Sequence, residues 1–147
     1  MEITGLDKLL NTLRDLSDPN TVDTAARRGL RKAGEAVQLS AKNLVHVDTG
    51  QLRNSIEVTD IPDGVDVGTN VKQGFFEEYG VGKRGDPSVA HTSKEQWSYQ
   101  DEDGNWHTTS GHEPHPFLFP AVEMNKDKIP EIIKAELQKE IRERAGR

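Results

Sequence analysis

The feature that most constrains this chain is a long helical repeat built largely from small residues, from about Thr21 to Val45. Val22, Ala26, Leu30, Ala33, Val37, Ala41 and Leu44 recur at steps of three or four, the apolar stripe of one helix. At 1.5 Å per residue such a helix is ~36 Å long, against a radius of gyration of ~15 Å for a domain of this length. It therefore has to run through the whole fold. Ala25, Ala26, Gly29, Ala33, Gly34, Ala36, Ser40 and Ala41 keep it narrow. Narrow sides let another backbone come close, which predicts tight packing on a sheet or a second helix. The alternative is that alanine is there only for its helix propensity.

The rest of the chain offers little apolar material to bury against that helix. Of 147 residues, 33% are hydrophobic and 5% aromatic, with a mean hydropathy of -0.76, all low for a globular protein. One domain over 1–147 is expected, and as a lone monomer it would be marginally stable. Folding completed against copies of itself or a partner is the natural remedy. Cysteine is absent, so disulfides and thiolate metal sites are excluded. The N-terminus lacks a basic-then-apolar signal pattern and no apolar run nears the ~20 residues of a membrane span, so a soluble protein with no membrane partner is expected.

The net charge of -6 is unevenly spread. Residues 1–46 carry 7 Lys/Arg against 6 Asp/Glu, residues 47–125 carry 5 against 14, and residues 126–147 carry 7 against 5. A nucleic-acid reader needs the reverse, a basic face that displaces counterions from phosphates. Sequence-specific nucleic-acid binding is not expected.

Flanking elements follow from local pattern. A short helix at roughly Leu6–Leu16 aligns Leu6, Leu9, Leu10, Leu13 and Leu16, with Thr4 or Gly5 as N-cap, and Ser17-Asp18-Pro19-Asn20 ends it. Asp48 and Gln51 have the spacing of a capping box, predicting a helical turn over about Thr49–Asn54 with Leu52 in the core. Ile56, Val58 and Ile61 alternate before the turn Pro62-Asp63-Gly64, and Val65, Val67 and Thr69 alternate after it, which makes a hairpin. Gly74–Gly80, with Phe75, Phe76 and Tyr79, reads as a short helix or a third strand. Residues 81–114 form an extended polar insertion, in which Gln96–Gln100 and Asn105–Thr109 flank Asp101-Glu102-Asp103-Gly104 as a protruding hairpin carrying Trp97, Tyr99 and Trp106. A helix enters near Pro120, and a last one near Ile129 or Pro130 carries Ile129, Ile132, Ile133, Leu137 and Ile141, with a frayed tail over 143–147. Together these give an α+β fold: a long central helix packed on a small antiparallel β-sheet, with shorter N- and C-terminal helices and a protruding hairpin.

Catalytic patterns are sparse. His107, His112, Glu113 and His115, with His91 more distant, could hold a divalent metal, which makes a metal-dependent hydrolase built on the loop 107–115 the rival functional reading. Against it, that loop is rich in glycine and proline and lacks a helical His-Glu-x-x-His frame. Asp48-Thr49-Gly50 would need a second carboxylate to act as a protease; it reads better as a corner, with Asp48 capping and Gly50 supplying an unusual dihedral. Arg27, Arg28, Arg31 and Lys32 form the basic cluster. Arg31 can pair with Glu35 on the helix, and the cluster suits a solvated face or a neighbour's acidic middle. No Gly-x-x-x-x-Gly-Lys loop or nucleophile elbow is present.

Four segments then stand in order: Val47-Asp48-Thr49-Gly50-Gln51-Leu52-Arg53-Asn54-Ser55-Ile56 after the long helix, Val67-Gly68-Thr69-Asn70, Phe76-Glu77-Glu78-Tyr79-Gly80, and Pro116-Phe117-Leu118-Phe119-Pro120-Ala121 before the last helix. In that order and spacing they resemble the gene-product-10 family of phage morphogenesis proteins of the Hong Kong 97 type. Its members read Asp-Thr-Gly-x-Leu-x-x-Ser-Ile, Val-Gly, Glu-aromatic-Gly and Pro-Phe-Leu-x-Pro-Ala. The resemblance covers most of residues 1–145, and the departure is the 81–114 insertion. It implies a small α+β virion subunit of a tailed bacteriophage or prophage, with no catalysis and no cofactor. Such a subunit acts at the head–tail junction or upper tail, as a neck, tail-completion or minor tail protein. It would form a ring of identical copies, or stay monomeric until it docks, with head connector, head-closure and tail proteins as partners, after assembly in the bacterial cytoplasm. On this reading Asp48, Thr49, Gly50, Leu52 and Ser55 hold a structural corner. Phe117, Leu118, Phe119, Trp97, Trp106, Arg27, Arg28 and Arg31 are candidate contacts, Phe117 and Phe119 having the alternative role of core anchors. The acidic middle would line a DNA passage.

Overall fold

A computed structural model describes residues 6–90, 92 and 94–146. The cap candidates Thr4 and Gly5, His91, and the side chains of Leu6, Leu9 and Leu16 lie outside the described residues and side chains. The fold is α+β. Its elements are α1 (Leu6–Ser17), α2 (Pro19–Leu44), α3 (Gln51–Ser55), β1 (Glu57–Ile61), β2 (Gly64–Gly68), α4 (Lys72–Tyr79), a 3-10 turn at Gly82–Arg84, β3 (Trp97–Gln100), β4 (Trp106–Thr109), α5 (Leu118–Asn125) and α6 (Lys128–Ala145). β1 pairs with β2 and β3 with β4, as separate two-stranded sheets. The segment Gly74–Gly80, open between helix and strand on pattern alone, lies largely within the helix α4. α6 runs on to Ala145, into the stretch expected to fray.

Pro19-Asn20 does not merely end α1. Proline stands at the first position of α2, where its missing N–H costs nothing, and Asp18 Oδ1 accepts the Asn20 N–H at 3.0 Å. The long helix therefore starts two residues before the expected Thr21.

The chain groups into two compact units, one made of the residues up to Val37, Val58–Val67 and those from Met124, the other of Gln38–Glu57 and Gly68–Glu123. In the first, α2 packs on both a helix and a sheet, and its glycines mark the places. A Cβ on Gly29 would stand 2.8 Å from Ile133 Cα of α6, and one on Gly34 would stand 2.8 Å from a Val58 methyl and 3.1 Å from a Val65 methyl. The small residues thus serve close approach, beyond any propensity. The buried row is Ala25, Ala33 and Val37, while Val22 is 43% exposed. The face that packs follows side-chain size more than the apolar stripe, because only the narrow row admits a neighbouring backbone. α1 also packs along α6, tied at one point by Arg144 to Asp15.

The second unit has a core of Ala41, Val45, Leu52, Ile56, Phe117 and Ala121. The Ile56 carbonyl is held by Gln38 Nε2 at 2.7 Å, so the chain leaves α3 in a set direction.

Candidate interaction surfaces

In the first unit, the basic cluster is engaged within the subunit. Arg28 Nη2 binds Glu140 at 2.6 Å and its Nε lies 3.7 Å from Glu136. Lys32 binds Glu136 on the other side. Arg31 pairs with Asp60 at 3.0 Å and with Glu35 at 3.6 Å, and Arg27 pairs with Asp23 and donates to the Pro62 carbonyl. A four-residue spacing on α2 sets Arg28 and Lys32 opposite Glu136 and Glu140 of α6, and Arg144 closes the row on Glu140. The hydrogen bond from Lys32 holds the Glu136 carboxyl below the usual carboxylate range, and those from Arg28 and then Arg144 do the same for Glu140. A cleft of about 800 Å3 runs along this ladder. Its cations already have carboxylate partners, so the expected contact with a neighbour's acidic middle has to compete with them.

In the second unit the four ordered segments come together. Leu52 of the first, Thr69 of the second and Phe117 of the last all surround Gly74, where an added Cβ would sit 3.1 Å from Leu52 Cδ1 and against the Thr69 methyl. Gly50 adopts φ 81° directly before α3, a left-handed conformation that costs glycine little. The expected Asp48 cap is not made. α3 has no side-chain cap, and Thr49 Oγ1 accepts the Gln51 N–H at 3.3 Å. Asp48 itself is exposed.

Glu78, the acidic residue of the Glu-aromatic-Gly motif though not among the candidate site residues, joins the third segment to the fourth. It is buried, and its carboxylate accepts the N–H groups of Phe117 at 2.8 Å, Leu118 at 2.9 Å and Phe119 at 2.9 Å. These are orphan donors of the first turn of α5, at the end of the helix that favours negative charge. A signal was present in the sequence. Pro116-Phe117-Leu118 contains no Ser, Thr, Asp or Asn to cap the helix, so an acceptor had to arrive from elsewhere. The consequence for the candidate contacts is a split. Phe117 is fully buried and leaves the contact surface, whereas Phe119 is 69% exposed and mounted on the clasped turn.

The insertion forms the expected hairpin, in the register Trp97↔Thr109, Ser98↔Thr108, Tyr99↔His107 and Gln100↔Trp106. Its base is closed by reciprocal bonds between Val81 and His112, both 3.0 Å. Asp101 organises the tip: Oδ1 accepts from Asp103 and Asn105, and Oδ2 lies 2.6 Å from His107 Nε2. The His107 contact, followed by the Asn105 N–H, lowers the Asp101 carboxyl to about 2. Trp106 is 72% exposed. On the opposite face Trp97 and Tyr99 meet Phe75 and Phe76 of α4 around an apolar cavity of about 540 Å3.

The histidines do not converge as the metal reading needs. His107 belongs to the hairpin tip, while His112 stacks on His115 with centroids 6.0 Å apart and His46 meets His115 edge-on at 5.9 Å. Among the described residues no group of three or more His, Asp or Glu is placed to hold a metal. Among them, too, no helix is long and apolar enough to cross a membrane.

One family model matches the chain, that described as "Bacteriophage HK97-gp10, putative tail-component", over residues 7–99, more than half of the sequence. No curated protein matches. No solved structure matches.

Proposed function

The chain belongs to the HK97-gp10-like family of bacteriophage tail components, and from that membership we propose that it works at the head–tail junction, as a neck or tail-completion subunit. It acts there without catalysis, by forming a ring of identical copies and docking to connector and tail proteins, after assembly in the host cytoplasm. The observation that carries this reading is the placing of apolar groups. The first unit's core is lined with alanine, glycine and valine, while Trp106, Phe119 and Met124 stand 60% or more exposed. Large apolar groups left uncovered on each unit suit a subunit whose burial is completed by neighbours. Trp97, Trp106, Leu118 and Phe119 are the contacts of choice. Arg27, Arg28 and Arg31 contribute where a neighbour's carboxylates displace Asp23, Glu140 or Asp60. Thr49, Gly50, Leu52 and Ser55 hold the corner at α3 within the second unit, and Asp48, exposed and making no cap, is left as a surface residue of it.

Part of the acidic surplus is spent inside the subunit, on Arg31 by Asp60, on the α5 turn by Glu78 and on His107 by Asp101. Glu102 and Asp103, exposed at the hairpin tip, are placed to repel phosphates along a DNA passage. Electron microscopy of particles lacking this protein tests the role. Full heads and separate tails are expected; normal, infectious particles overturn it.

A further inference from the structure

The cavity between α4 and the hairpin is concave, apolar and open. Phe75, Phe76, Val81, Trp97 and Tyr99 line it, and Phe75, Phe76 and Tyr99 are still 46%, 42% and 48% exposed. The same unit presents a matching projection, Phe119, at 69% exposure. Its backbone is clamped through its own N–H by Glu78 Oε1 and followed by Pro120. An aromatic group fixed in this way loses little freedom on binding, which is what makes an anchor effective.

The geometry points to a second copy of this chain as the occupant: Phe119 of one copy enters the aromatic cavity of the next. This rests on the self-association proposed above and names the contact that produces it. The area is modest. Aromatic side chains bring about 150–250 Å2 each, so the exposed parts of these four place on the order of 400 Å2 of aromatic surface in the contact, both faces counted. With a polar rim that stays below the ~1,000 Å2 of a stable specific interface and belongs with weak contacts. Because projection and cavity are different patches, the contact is head-to-tail and repeats from copy to copy until it closes. A contact of that size is weak between two free copies and strong once each copy is held on both sides.

The test is sedimentation equilibrium of the full chain and two variants, Phe119→Ala, which removes the projection, and Ala90→Trp, which fills the cavity from an exposed position on its lining. Melting curves confirm that both variants fold. The unaltered chain is expected to associate with rising concentration, and each variant to associate at least about tenfold more weakly, as loss of an anchor does. Mixed one to one, the variants are expected to pair, since Ala90→Trp still offers Phe119 and Phe119→Ala still has an open cavity. An unaltered chain that stays monomeric throughout overturns the proposal. So does Phe119→Ala associating as tightly as the unaltered chain; if Ala90→Trp is then weakened, the cavity holds a different segment. Particle morphology is read separately, so a failed contact and a failed junction role are distinguishable.

Discussion

Ser55 Oγ and Thr69 Oγ1 lie 2.5 Å apart, and their neighbours settle the direction of the bond. Ser55 spends its proton on the Leu52 carbonyl, and Thr69 Oγ1 accepts the Val71 N–H. Thr69 therefore donates to Ser55. This chain of bonds ties the first ordered segment to the second.

Removing one member strands the other in a half-buried site, which costs about 1–3 kcal/mol. Ser55→Ala is expected to lower stability in urea unfolding by that amount. Adding Thr69→Val should cost less than the two single losses together, because the pair is a coupled unit. Strict additivity would show that the hydroxyls act independently.

Glu78→Gln replaces a carboxylate that accepts three N–H groups with an amide that offers one acceptor and its own donors. Hydrogen bonds to a charged group contribute about 1.5–3 kcal/mol each when net costs are included, so a loss of about 2 kcal/mol or more is expected. Hydrogen exchange at the amides of Phe117, Leu118 and Phe119 should accelerate first. Unchanged protection there would mean that α5 does not depend on the clasp.

Gly29→Ala and Gly34→Ala each gain about 1 kcal/mol of helix propensity and each meet an atom 2.8 Å away. Overpacking of this kind costs about 1–3 kcal/mol, so both are expected to be net destabilising. They differ in remedy. Gly34→Ala meets a Val58 methyl and should be relieved by Val58→Ala, whereas Gly29→Ala meets the Ile133 backbone and should not be relieved by Ile133→Ala. Thermal melts of the four variants decide it.

The carboxyls of Glu136 and Glu140 titrate below their usual range in the folded chain. Their contribution to stability is therefore fully present above the ordinary value of 4.5, and is lost as pH falls from there through the lower folded value. Glu140→Gln should flatten that acid loss in melting curves. Both curves should converge at high salt, since Arg28 is well exposed and screened. An acid profile unchanged by the substitution would remove Glu140 from the ladder.

Both tryptophans lie in the hairpin, so intrinsic fluorescence reports on that element. Asp101, lowered to about 2, stabilises its tip above the ordinary 3.8, and that contribution fades as pH falls toward 2. A fluorescence transition in that window is expected. Asp101→Asn should shift the neutral-pH spectrum toward the acid one and abolish the transition; an unaltered transition would assign it to another group.

Local pattern was enough to locate the elements. The repeat in α2, the turn at Pro62-Asp63-Gly64 and the acidic turn between Trp97 and Trp106 are each written within a few consecutive residues, and each forms where expected. Propensity, turn chemistry and side-chain period act over that distance, as does the order of segments by which the family is recognised. Tertiary structure alone decided which face of α2 is buried, that Phe117 is core while Phe119 is exposed, that Arg28 and Lys32 face carboxylates of α6, and that Glu78 reaches a helix 39 residues away. Those outcomes depend on which surfaces meet once the chain has compacted, and an unmet N–H or an unpaired charge takes the nearest partner that packing brings to it.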